Sequence, residues 1–302
     1  MRLTEIKKDF RANRSVYLMA LPVLLFFILF AYIPMSGLLM AFQNYSPQLG
    51  LFHSKWLGLK NFTDFFGSYY FLRLLKNTFL LSFYDLIFAF PAPILFALLL
   101  NEVRSRHFKK AVQTISYMPF FISLVVIAGL IIDFTAPTGV VTAFLSLFGV
   151  EKSNLLGNPA FFRPLFVATN IWQNLGFQSI IYISALSAID PEQYEAAVLD
   201  GAGRFRQTLH ITLPGISGTL MMLLILRMGS MLSVGFEKVI LLYSPAVYET
   251  ADVISSFVYR KGLQEFNFGY STAVGLFNSL INFALLIFAN LLSRKYAEKS
   301  LF

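Results

Sequence analysis

Two ionisable side chains stand inside runs of otherwise apolar sequence: Asp85 within residues 78–100, and Arg227 within residues 216–234. A charge at mid-bilayer costs about 2.5–3.5 kcal/mol, so each needs a partner or a task. Arg227 follows Pro214 by 13 residues, about 20 Å along a helix rising about 1.5 Å per residue. That leaves it about 10 Å from the far edge of a ~30 Å hydrocarbon core. Asp85 follows Thr78 by seven residues on a helix running the opposite way, also about 10 Å deep. Equal depth allows an ion pair; it equally allows Arg227 to face a polar cavity among the helices. Amides and aromatic rings recur in residues 165–189, at Asn170, Trp172, Gln173, Asn174, Phe177 and Gln178, and amides at Asn278 and Asn282, spaced i, i+4 in residues 271–292. The same amides can bond neighbouring helices instead. No catalytic constellation is visible. His53, His107 and His210 are far apart in sequence, no metal-ligand spacing occurs, and the absence of cysteine excludes thiol catalysis and Cys-ligated metals.

The elements that hold these residues follow from composition. Of 302 residues 57% are hydrophobic and 13% charged, against about 25% charged in soluble domains. Mean hydropathy is +0.65. A bilayer-spanning helix needs about 20 apolar residues, and the chain supplies six such runs, at about 16–42, 78–100, 111–132, 165–189, 216–234 and 271–292. The expectation is an all-α membrane protein with six transmembrane helices in a single domain over residues 1–302. The first run is too long for a signal peptide. Six spans put both termini on one side. That side holds 14 Lys and Arg in about 63 residues, and the other nine in about 102, so the termini are predicted cytoplasmic. The net charge of +8 then reports topology, with no nucleic-acid partner. Aromatics in the outer loops, including Trp56, Phe62, Phe65, Phe66, Tyr69 and Tyr70, suit an interface with headgroups.

One inner loop, residues 188–215, departs from the basic pattern: Asp190, Glu192, Glu195 and Asp200 stand against Arg204 and Arg206. Asp190 is a suitable N-cap, Pro191 suits the first helical position, and Gly201 suits a C-terminal stop. The spacing predicts a helix of about 10 residues, with Tyr194, Ala197, Val198 and Gly201 along one face. A second short helix is expected through Phe205 and Leu209, and Pro214 is expected to open the fifth span. A helix this short needs a surface to pack on, either this chain's own helix ends or a partner's groove.

The run Glu195-Ala196-Ala197, Gly201, then Ile211, Leu213 and Pro214 resembles the EAA signature of binding-protein-dependent ABC importer permeases. The resemblance extends along the chain through Phe90-Pro91-Ala92-Pro93, Leu100-Asn101-Glu102-Val103-Arg104, Val112–Pro119 and Ala273–Phe277. It is nearest to the carbohydrate, oligosaccharide and polysaccharide (LplB-like) branch. The resemblance implies a type I, MetI-like permease in the cytoplasmic membrane of a prokaryote. Glu195, Ala196, Ala197, Asp200, Gly201, Ala202, Ile211, Leu213 and Pro214 would form the ATPase-coupling element. Substrate-pathway candidates are Arg227, Asp85, Trp172, Gln173, Asn278 and Asn282. Implied partners are ABC ATPase subunits, a second homologous permease, an extracytoplasmic solute-binding protein, the lipid bilayer and a carbohydrate. The chain has no P-loop and no Gly-Lys dipeptide, so ATP and Mg belong on the partner and this chain holds no cofactor. Two other classes compete: an ion-coupled secondary transporter using Asp85 and Arg227, and an intramembrane enzyme using Asp85 and Asp133.

Overall fold

A computed structural model describes residues 12–297, with side chains as far as Arg294. The basic residues among the first 11 and last five positions, on which the predicted orientation partly rests, lie outside them. Helix dominates. The one strand pairing among the described residues sets Gln43–Asn44 antiparallel to Lys55–Trp56.

Prolines set the shape of the long helices. In three of them the residue preceding a proline donates its N–H to a carbonyl five residues back. These residues are Ile33 before Pro34, Phe90 before Pro91 and Leu213 before Pro214, bonded to Ile28, Asp85 and Thr208. Each proline ring would clash with the carbonyl four residues behind it. The π-helical turns Ile28–Tyr32, Asp85–Ala89 and Thr208–Thr212 widen the helix at that carbonyl and carry the chain past the proline.

Five segments are long and apolar enough to cross a bilayer: Arg14–Phe42, Tyr70–Glu102, Leu124–Ser146, Arg204–Gly229 and Phe268–Arg294. The remaining expected span is the helix Pro159–Ser187, 29 residues long, which is long enough but diluted by Asn170, Gln173, Asn174 and Gln178. Its polarity has a physical outlet. This helix packs against Pro91–Glu102, Arg106–Tyr117 and Leu213–Gly229, so part of its surface meets protein instead of lipid. At Gly176 the approach is so close that a Cβ would fall 2.2 Å from the Ser116 carbonyl oxygen.

Two expected boundaries are corrected. The single span at 111–132 is broken: the helix Arg106–Tyr117 ends in a 3-10 turn at Met118–Phe121, and a new helix starts at Leu124, capped by Ser123. Pro119, with no N–H to give, sits at the break. The third apolar segment therefore runs Leu124–Ser146, itself interrupted between Thr135 and Val140. The fifth span begins at Arg204 and ends at Gly229, so the separate short helix expected through Phe205 and Leu209 is its first turns.

Contacts divide the chain into two compact units. One reaches Gly67 and includes Lys261–Leu276; the other comprises Ser68–Arg260 and the chain from Phe277 onward. In the first, Asn61 is buried and donates its amide to the carbonyls of Ala41 and Gln43 at 2.9 and 3.1 Å. Phe65, expected at an interface, is buried beside Tyr270. In the second, the apolar core joins Leu81, Ile127, Phe162, Phe166, Val239 and Val253. A smaller cluster gathers Ala97, Tyr182, Leu186 and Ile216. Near the core, Asp252 is fully buried and held by Arg260 at 2.6 and 3.2 Å and by Ser256 at 2.8 Å. Burial alone would lower the Arg260 pKa, but its hydrogen bond to Asp252 overrides that and raises it. Asn77 links this segment to the Pro159–Ser187 helix, donating to the carbonyls of Glu249 and Asp252 and accepting from Arg163 at 2.7 Å.

Candidate functional site

The second unit encloses a polar cavity of about 350 Å³. Its wall brings together residues from the segments Tyr70–Glu102, Pro159–Ser187 and Arg204–Gly229, Leu124 at the start of the third apolar segment, the turn after Gly229 and the first residues of the helix Phe236–Leu242. The π turn at Asp85–Ala89 opens with Asp85, whose side chain is 5% exposed. Arg227 forms an ion pair with Asp85, and Asn170 donates its amide to the other carboxylate oxygen. Asn174 in turn donates to Asn170 Oδ1 at 2.9 Å. The depth arithmetic that set Asp85 and Arg227 level is matched by this contact. The pair does not exhaust Arg227, whose side chain is 42% exposed and lines the cavity with Gln173, Asn174, Gln178, Ser230 and Ser233.

Other pathway candidates lie elsewhere. Trp172 is absent from the cavity wall and exposed. Asn278 and Asn282 are buried and also absent from it. Asn282 accepts from the backbone N–H of Leu232 at 2.9 Å and donates to Ser233 at 3.1 Å, which braces the turn after the fifth span. Asp133 is exposed and is not among the groups bonded to Asp85. Lys238, counted in the sequence only as an outer-loop charge, is 4% exposed and belongs to the cavity wall. The signal was present: Lys238 follows Glu237 and directly precedes the apolar run Val239-Ile240-Leu241-Leu242 in the helix Phe236–Leu242.

The 188–215 loop forms the second site. Asp190 caps the helix Pro191–Leu199, accepting from the Glu192 N–H at 3.0 Å. Gly201 adopts φ +73°. Ala202 N–H bonds the Ala197 carbonyl at 2.8 Å and Gly201 N–H bonds that of Val198 at 3.0 Å. That is the paired bonding of a Schellman stop. The helix is then tied to the base of the fifth span. Tyr194 Oη lies 3.0 Å from Thr212 Oγ1, and Gln207 donates to the Ala202 carbonyl at 2.8 Å. Arg204 pairs with Glu102 at the end of the helix Pro91–Glu102. The face expected from spacing is split. Tyr194 and Ala197 lean on the chain itself, whereas Val198, Leu199 and Phe205 are 63%, 88% and 78% exposed. Glu195, Ala196, Asp200 and Pro214 are exposed, while Ala202, Ile211 and Leu213 are half-buried.

A polar chamber among membrane helices, with a capped loop helix and a bare apolar tip at the far end of one of them, fits a transport subunit. Among the described residues no group of His, Asp or Glu could hold a metal ion. The family model described as "Binding-protein-dependent transport system inner membrane component" matches residues 74–298. "Protein LplB" of Bacillus subtilis (strain 168) is 43% identical over 293 residues, covering 97% of this chain and 92% of that protein. The "Polygalacturonan/rhamnogalacturonan transport system permease protein YteP" of the same organism is 46% identical, covering 96% and 91%. Among solved structures, a chain of a bacterial ABC transporter that imports the acidic polysaccharide alginate is 45% identical. It superposes with a TM-score of 0.90, covering 97% of this chain and 99% of that one. The chain belongs to the binding-protein-dependent transport system inner membrane components: it is a multi-pass, non-catalytic permease subunit of a sugar ABC importer. Family membership overturns the intramembrane-enzyme and ion-coupled alternatives.

Proposed function

We propose that this chain forms half of a translocation pathway for oligosaccharides or polysaccharide fragments in the cytoplasmic membrane of a prokaryote. A second, homologous permease supplies the other half, and two ATPase subunits supply the energy. An extracytoplasmic solute-binding protein delivers the sugar. The observation that carries this reading is the 188–215 loop, a short helix closed by the Gly201 stop and tied to the fifth span, with Val198, Leu199 and Phe205 bare at its tip. Apolar side chains so exposed on a braced element suit burial in a partner. The alginate importer, solved with a periplasmic protein carrying an alginate pentasaccharide, supports both the delivery step and the polysaccharide-fragment class.

In this mechanism, ATP binding closes the ATPase pair and draws the loop with it. Glu195, Ala196, Ala197, Asp200, Gly201, Ala202, Ile211, Leu213 and Pro214 fix the loop's shape and its join to the fifth span. The spans then rock as rigid bodies between inward-facing and outward-facing states. Arg227 and Gln173 meet the sugar in the cavity, and Asp85 holds Arg227. Asn282 braces the turn that follows the fifth span.

The test is reconstitution of the permease pair with its ATPase and binding protein. Phe205→Asp should abolish co-purification with the ATPase and ATP-driven uptake of an oligosaccharide. Association and uptake that both survive Phe205→Asp and Gly201→Val would overturn the coupling role.

A further inference from the structure

Lys238 is a buried cation without a counter-charge. It is 4% exposed, its ammonium has no hydrogen-bond partner, and among the described residues no carboxylate lies within ion-pair distance of it. The nearest compensation is the ring of Phe166, whose centroid lies 5.4 Å from Nζ. A cation–π contact offsets only part of the hydration an ammonium loses on burial. Both Lys238 and Phe166 belong to the wall of the 350 Å³ cavity. The other charges there are accounted for. Asp85 is engaged by Arg227 and Asn170, and Glu237 is exposed on the same short helix. Arg227 still presents a partly open guanidinium to the cavity.

We infer that Lys238 and Arg227 form a carboxylate-binding site in this cavity, so that the pathway selects sugars bearing a carboxylate, such as hexuronates, over neutral ones. The cavity volume falls in the range of small-molecule sites, roughly 300–1,000 Å³. Gln173, Asn174, Gln178 and Ser233 line it with donors and acceptors suited to ring hydroxyls. A carboxylate entering this wall supplies the counter-ion that Lys238 lacks, and charge-assisted hydrogen bonds are the strong ones. A neutral sugar supplies no counter-ion and so gains nothing from Lys238. Burial lowers the Lys238 pKa to about 7, so near neutral pH the empty site holds both amine and ammonium, and an entering carboxylate favours the ammonium.

The inference rests on the cavity being the sugar pathway, and the experiment separates the two. The assembled transporter in lipid nanodiscs is titrated with galacturonate trisaccharide and with its methyl ester, which has the same rings and no charge. Wild type is expected to bind the acid at least about tenfold more tightly than the ester. Lys238→Met should bring the two affinities together, and Lys238→Arg should restore the difference. Equal binding of acid and ester by wild type, or an acid preference that survives Lys238→Met, overturns the carboxylate site alone. Binding of neither trisaccharide to wild type overturns the pathway reading beneath it. The wild-type comparison stands even if Lys238→Met does not fold.

Discussion

Replacing Arg227 by Met tests both the fold and the pathway. Arg227 is the cationic partner of Asp85, whose side chain is 5% exposed. Removing one member of a buried pair costs about 3–5 kcal/mol, because the other charge remains buried and uncompensated. Arg227 is itself 42% exposed and Asn170 still donates to Asp85, so the lower end applies, about 3 kcal/mol. The double variant Asp85→Asn with Arg227→Met removes both charges and leaves an amide oxygen for Asn170, so its loss should be about 1 kcal/mol. Adding Asp85→Asn to Arg227→Met should therefore recover about 2 kcal/mol, well above the few tenths within which independent sites add; Asp85→Asn alone completes the double-mutant cycle. Denaturation of the purified transporter, followed by fluorescence of Trp56 and Trp172, the chain's two tryptophans, measures the cycle. Uptake separates the roles: the double variant should assemble and still fail to import, if Arg227 meets the sugar. A single Arg227→Met variant as stable as wild type would refute the reasoning about Asp85. A double variant with full uptake would remove Arg227 from the pathway.

Gly201→Ala should cost about 1–2 kcal/mol through backbone strain alone, since φ is +73° and nothing lies within 4 Å of the added methyl. It should lower uptake per ATP hydrolysed, whereas Gly203→Ala, equally open but at φ −68°, should leave that ratio unchanged. Gly176→Ala should destabilise the transporter by about 1–3 kcal/mol, measured by thermal melting, because the Ser116 backbone oxygen at 2.2 Å cannot move aside. Lys238, which lies beyond the end of the fifth span at Gly229, makes stability depend on pH. Its pKa is about 7 folded against 10.5 unfolded, so between these values the unfolded chain binds the extra proton. Stability should then rise with pH across that window, by up to about 5 kcal/mol, with no slope from this group below pH 7. Glu237, Arg227 and Asp85, the other ionisable groups of the cavity wall, remain in Lys238→Met. Loss of the slope in that variant, read from denaturation at pH 7 and pH 10, assigns it to Lys238.

Local chemistry was legible where one residue decides the outcome. Asp190, Pro191 and Gly201 mark the ends of a helix by capping and backbone rules, and the helix runs between them. Helix rise alone set Asp85 level with Arg227. What escaped depends on three-dimensional neighbours. The break at Met118–Phe121 lies inside a continuous apolar run, so hydropathy passed over Pro119. The fifth span reaches back to Arg204 because its first turns pack and bond with the loop helix through Thr212 and Gln207, a pairing with no sequence period. The i, i+4 spacing of Asn278 and Asn282 correctly put them on one face, but the cavity is not on that side; Asn282 serves the turn at Leu232 and Ser233. Lys238 looked like an ordinary loop cation because burial is created by Phe166, 72 positions away in the chain.

The widened turn at Thr208–Thr212 also has a mechanical meaning. Pro214 removes one bond from the helix ladder there, so flexing at this point sacrifices less than flexing anywhere in the regular helix above. Residues 213–229 are regular and act as a stiff rod on that fulcrum. Arg227 stands 15 residues beyond Thr212, a radius of about 22 Å at the helical rise. A tilt of about 10° would swing its backbone by about 4 Å, more than the length of a hydrogen bond. In the coupling scheme proposed, a small push on the loop becomes a displacement large enough to make or release a sugar contact. The proline therefore fixes where the stroke is converted, and the length of helix above it fixes how far the stroke is amplified.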